Sequence, residues 1–162
     1  MPHQIKDLIR NVHRLSTHFT LDELTKTSCG LPNNTTSPVI VSNLQAVCAN
    51  ILEPVRAHYK KPVIIHSGYR SPAVNTAIGG SKTSQHCRGE AADFHVTGHS
   101  VYEVVNWISE NLDFDQLILE NFVPNIMNSG WVHCSYSKRN RNQEMTKFKG
   151  SGKYYPGIIL HK

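Results

Sequence analysis

No stretch of this 162-residue chain is apolar for long enough to cross a membrane, and no two cysteines stand at C-x-x-C spacing. The first absence argues against a membrane-spanning helix within these residues, which needs about 20 consecutive apolar residues. The second excludes a cysteine zinc knuckle. Cys29, Cys48, Cys87 and Cys134 are too scattered for a dense disulfide framework, so free and mostly buried thiols are expected. Acidic residues are scarce, 12 against 17 lysines and arginines, and the net charge of +5 favours anionic partners without choosing among them. Internal repeats and low-complexity tracts are also missing. The opening residues MPHQIKDLIRNVHRL are too polar for the apolar stretch of a signal peptide, so synthesis in the cytoplasm without a signal peptide is expected.

What is present fits one domain over residues 1–162, a length that buries a core without disulfides. Ile5, Leu8, Ile9 and Val12 follow a helical period and predict an N-terminal helical arm over residues 1–18. Thr20 and Glu23 form a capping box for a short helix from Leu21, and Ser42 with Gln45 predicts another for the longest helix, which runs to about Tyr59. Pro54 inside that helix predicts a bend. Val63–Ile65 reads as a buried strand, Pro72 opens a short helix, and residues 91–96 alternate as a second strand with Asp93 and His95 on one face. Ser100 and Glu103 predict a third capped helix. Residues 115–120 and 131–136 read as strands joined by a loop of about ten residues, long enough to rim a site. Residues 138–153 are basic and polar and read as a mobile loop, followed by an edge strand within residues 154–160.

The strongest chemical signal is SQHCRGEAAD, residues 84–93. His86 sits on a glycine-flanked loop, with six residues between it and Asp93. Asp93 stands among Ala91, Ala92 and Phe94, where an ionised carboxylate is costly to bury without a partner. A metal offsets that cost; a buried salt bridge is the plainer alternative. Catalytic zinc takes three protein ligands and keeps a position for water, and His133 in the strand WVHCSY is the third candidate. Cys134 should point to the opposite face from His133.

SQHCRGEAAD resembles the S-x-H-x-x-G-x-A-x-D signature of the zinc D-Ala-D-Ala carboxypeptidase family, peptidoglycan peptidases akin to lysostaphin and the hedgehog signalling domain. The similarity extends through SGYRSPAVN upstream and to WVH downstream, over roughly residues 40–136, and is greatest to small bacterial and phage members. It implies an α+β fold with a small central, mostly antiparallel sheet and helices on one side. It also implies one zinc ion held by His86, Asp93 and His133, with Arg70 stabilising the oxyanion. Ser84 either hydrogen-bonds substrate or forms the turn. Many members carry an acid three residues before the last histidine, where this chain has Gly130; Glu120 is the candidate general base in its place, and Asp115 a weaker one. The implied substrate is the peptidoglycan stem peptide, reached after phage-mediated release or as a virion component. A monomer is expected, with no nucleic acid partner.

Three other readings stand beside this one, the last of them basic nucleic-acid binding, which only the charge and the segment from Lys138 to Lys153 support. A non-haem iron oxygenase also uses two histidines and a carboxylate, but commonly as H-x-D, unlike the spacing here. A non-catalytic relative that holds zinc and binds cell wall is the second, and Gly130 is its motive. For Glu120, an ordinary solvated carboxylate at a strand end is the competing reading, and for Arg70 a surface ion pair.

Overall fold

A computed structural model describes residues 14–162. The helix expected over residues 5–12 lies outside them; the described part of the expected arm is a turn closed by a bridge between Arg14 and Thr20, not a helix. Helix α1, Leu21–Leu24, starts from the expected box: the Thr20 hydroxyl accepts the Glu23 N–H, and the Glu23 carboxylate accepts the Thr20 N–H.

The longest helical run begins earlier than Ser42. Ser37 caps α2, Pro38–Val47, with its hydroxyl accepting the Ile40 N–H. Pro38 occupies the first turn, where a missing N–H costs nothing and a fixed φ helps, so this signal overrides the box at Ser42 and Gln45. Pro54 does not break the run. A π-helical turn, Cys48–Leu52, precedes α3, Glu53–Tyr59, and the Glu53 N–H reaches back five residues to the Cys48 carbonyl. The widened turn absorbs the hydrogen bond that Pro54 cannot make.

Six strands form one sheet: β1 Val63–Ser67, β2 Ala91–Val96, β3 Gln116–Phe122, β4 Trp131–Ser135, β5 Gln143–Phe148 and β6 Tyr155–Pro156. Their order is β1-β2-β4-β3-β5-β6, and every neighbouring pair is antiparallel except β3 and β5. Between strands lie α4, Pro72–Ala77, a 3₁₀ turn, Gln85–Arg88, and α5, Val101–Asn111. Ser100 caps α5 through the Glu103 N–H, but Glu103 turns its carboxylate to His99, so only half of that box forms. This α+β arrangement matches the expected architecture.

Strand alternation divides the sheet into two faces. Ala92, Phe94, Leu117, Leu119, Val132 and Cys134 are fully buried in the core with Leu44, Val47, Val104 and Ile108 from the helices. Asp93, Glu120 and His133 alternate with these core residues and take the opposite face.

The basic segment 138–153 is not the loop its composition predicts. It contains β5, in which Thr146 and Phe148 are buried while Lys147 stays partly exposed. A period-2 pattern lies beneath the lysines, and pairing with β3 satisfies its backbone. The edge strand expected after it is β6. No helix among the described residues is long and apolar enough to cross a membrane.

Candidate metal centre

Strand β1 ends at Ser67 and delivers Gly68 against α1. A Cβ on Gly68 would lie 2.4 Å from the Leu24 carbonyl oxygen, and the Tyr69 N–H donates to that oxygen at 2.7 Å, so only glycine permits this approach. The Gly68 carbonyl then meets His86 Nδ1 at 2.7 Å. A carbonyl only accepts, so Nδ1 carries the proton and His86 Nε2 is left with its lone pair facing inward.

His86 is held by its own short turn. The Ser84 hydroxyl oxygen accepts the His86 N–H at 3.2 Å, and Gly89 closes the turn at φ +72°. Ser84 thus forms the turn, and it also lines the cleft described below.

Asp93 and His133 are register partners across β2 and β4. Asp93 Oδ1 lies 2.8 Å from His133 Nδ1 and 3.3 Å from His86 Nε2, and those two nitrogens are 3.3 Å apart. The three ligand atoms lie within 4.8 Å of one another. Burial pushes the Asp93 carboxyl up, but the imidazoles of His86 and His133 outweigh it and hold the group far below the ordinary carboxylate range. Two imidazole nitrogens and one carboxylate oxygen are a donor set suited to zinc with an open position, and the Gly68 carbonyl is the outer partner that fixes the His86 tautomer. The residues present therefore fit the metal.

Arg70 is no ordinary surface pair. Its Nη2 donates to Asp93 Oδ2 at 3.3 Å and its Nε to the Ser67 hydroxyl at 3.0 Å. Glu120 is the register partner of Trp131, one alternation along the sheet from His133, and both line a cleft of about 830 Å³ with the metal trio and Arg70. Burial pushes the Glu120 carboxyl up; Lys147 Nζ, 3.9 Å away, acts against this.

Asp115 lies elsewhere. It is fully buried and accepts the Gln85 side-chain amide at 2.8 Å, the Arg141 backbone N–H at 3.1 Å, and Arg141 Nε and Nη2 at 2.8 and 3.0 Å. A carboxylate so committed is a tie between the His86 turn, the start of β3 and residue 141, not a base open to substrate. Gln85, Arg141 and Lys147 were not singled out in the sequence. For Lys147 a usable signal existed, the alternation of Met145, Lys147 and the buried Thr146, Phe148.

All four cysteines are free. Cys134 is buried in the core on the face away from His133, and burial pushes its thiol up.

The sequence model of the family Peptidase M15 matches residues 17–135, and a search of curated proteins finds no match. The matched region contains Arg70, His86, Asp93, Glu120 and His133, whereas β5 and β6 lie beyond it. The chain belongs to Peptidase M15, a zinc-dependent metallopeptidase family.

Proposed function

We propose that this protein hydrolyses an amide bond in the peptidoglycan stem peptide, as a D-Ala-D-Ala carboxypeptidase or as an L-Ala-D-Glu or D,D-endopeptidase. The observation that carries the reading is the convergence of His86 Nε2, Asp93 Oδ1 and His133 Nδ1 in a cleft shared with Glu120 and Arg70.

His86, Asp93 and His133 would hold a zinc ion, which would supply an acidified water and polarise the scissile carbonyl. Glu120 takes the proton from the attacking water and returns it to the leaving amine. Burial raises its pKa, which favours return of the proton to the leaving amine. Arg70 has two nitrogens committed to Asp93 and Ser67, leaving the third to meet the charge that develops on the carbonyl oxygen. Arg139, Arg141 and Lys147 line the same cleft and favour a peptide that carries carboxylates.

A second reading rests on Gly130, which stands where many relatives carry an acid: the protein holds zinc and binds cell wall without cleaving it. Incubation of purified peptidoglycan with the wild type and with Glu120→Gln, followed by mass spectrometry of new termini, separates the two. Cleavage by the wild type that falls on the order of 10²–10⁴-fold in Glu120→Gln supports the peptidase with Glu120 as base. No new termini with either protein, at full zinc content, favours the binding relative. Iron in place of zinc on metal analysis would sink both. We further propose action at the cell wall after phage-mediated release or from a virion; intact protein in the medium of unlysed cells would count against that route.

A further inference from the structure

His66 and His95 form a second imidazole cluster on β1 and β2. His66 Nε2 lies 2.6 Å from His95 Nδ1, with ring centroids 4.7 Å apart and planes inclined by 25°. Among the described residues neither ring makes another side-chain hydrogen bond, and His66 is exposed.

They share the sheet face of Asp93, beside a β-bulge in β1. Ile64 pairs with His95 and Ile65 with Phe94, but Ser67, not His66, pairs with Asp93. An unbroken ladder would set His66 opposite Asp93. The surplus residue gives that place to Ser67, which braces Arg70, and leaves His66 beside the His95 ring. The pair is thus a product of the strand geometry that also builds the metal centre, yet it shares no ligand with it.

A hydrogen bond between two solvent-accessible imidazoles already converges two ring nitrogens on one point, the arrangement that a chelated ion needs. We propose that His66 and His95 form a second transition-metal site, chelating a late first-row divalent ion such as Zn²⁺, Ni²⁺ or Cu²⁺, with water in the remaining positions. Imidazole suits these ions. Bonds of about 2.0–2.1 Å to a tetrahedral ion place two nitrogens roughly 3.3 Å apart, so the pair needs to open by less than ~1 Å, within reach of exposed side chains. Lys26 opposes a cation beside His66, and the charge of Asp93 is offset once the first ion is bound, so the imidazole nitrogens alone must hold the second. With only two protein ligands the site is weaker than the His86, Asp93 and His133 centre. Its occupation clips the edge strand β1 to β2.

The probe is Zn²⁺ itself. The wild type, His66→Ala and His95→Ala are dialysed against graded Zn²⁺ and the metal per chain is measured. The wild type should take a tight first equivalent and a weaker second. Each variant should keep the first and bind the second roughly tenfold more weakly or not at all. Excess Zn²⁺ should also raise the thermal midpoint of the zinc-loaded wild type and leave that of the variants in place. Failure of the wild type to take a second equivalent up to millimolar Zn²⁺, or a second equivalent unchanged in either variant, overturns the proposal. Neither readout requires peptide hydrolysis, so a failed peptidase assay and a failed second site are told apart.

Discussion

Gly130 and Glu120 meet across the β3–β4 turn so closely that a Cβ at Gly130 would lie 2.0 Å from the Glu120 carbonyl oxygen. Gly130 also adopts φ +68°, a conformation that L side chains rarely take. The acid that many relatives carry at this position therefore cannot be restored here without moving the backbone of Glu120. The same pair of strands that excludes one carboxylate presents another, because Glu120 reaches the cleft from the opposing strand.

Gly130→Ala should accordingly lower stability by about 2–4 kcal/mol, combining positive-φ strain with a backbone overlap. Urea unfolding at neutral pH checks this. An unchanged midpoint would show that the turn relaxes freely, and the steric account of the missing acid would fall.

Lys147 bears on Glu120 through charge. It favours the ionised carboxylate, so its removal should raise the Glu120 pKa further. In Lys147→Met the acidic limb of the kcat/KM profile should move to higher pH by a few tenths of a unit up to about one, the two side chains being partly screened by solvent. A limb that stays in place would separate Lys147 from the base, and one that moves to lower pH would contradict the sign.

Gly68→Ala tests the carbonyl that orients His86. The added methyl meets the Leu24 carbonyl oxygen at 2.4 Å, so the peptide that holds His86 Nδ1 must shift. Loss of such an outer partner typically lowers metal affinity about 10–100-fold. Competition with a chromogenic chelator measures it; unaltered affinity in a folded Gly68→Ala protein would remove the Gly68 carbonyl from the metal centre's support.

The Asp115 tie predicts a pH-dependent stability. Hydrogen bonds from Arg141 lead in holding this carboxyl far below the ordinary range, against the effect of burial. A depressed folded-state pKa means that the contribution is complete above the unfolded value of about 3.9 and is lost as pH falls below it. Asp115→Asn should cost about 2–4 kcal/mol at pH 7. That difference should shrink as both proteins are unfolded at progressively lower pH under about 4. A difference independent of pH would mean that shape, not charge, makes the tie.

Several features of this chain are decided within short stretches of sequence. The Thr20 and Glu23 box, the alternation of Asp93 with Ala92 and Phe94, and the cost of burying Asp93 all depend on neighbours a few residues away, which is why His86 and Asp93 stand out as candidate ligands before any fold is known, whereas His133, forty residues on, joins them through its own strand and the family resemblance. Even so, local signals compete, and the choice of Ser37 over Ser42 as a cap followed from Pro38.

What only the tertiary structure decided is who stands beside whom. Period-2 alternation states which face a side chain takes, but not which strand lies next to it, so Lys147 beside Glu120 depended on the non-local parallel pairing of β5 with β3. Asp115 looks like a candidate base in the sequence and becomes a buried tie only once Gln85 and Arg141 are folded onto it. His66 lies beside His95 because β1 pairs with β2, which neither strand can announce by itself. The candidate ligands His86 and Asp93 are marked by local chemistry; the positions of Glu120 and of the second histidine pair reside in strand register.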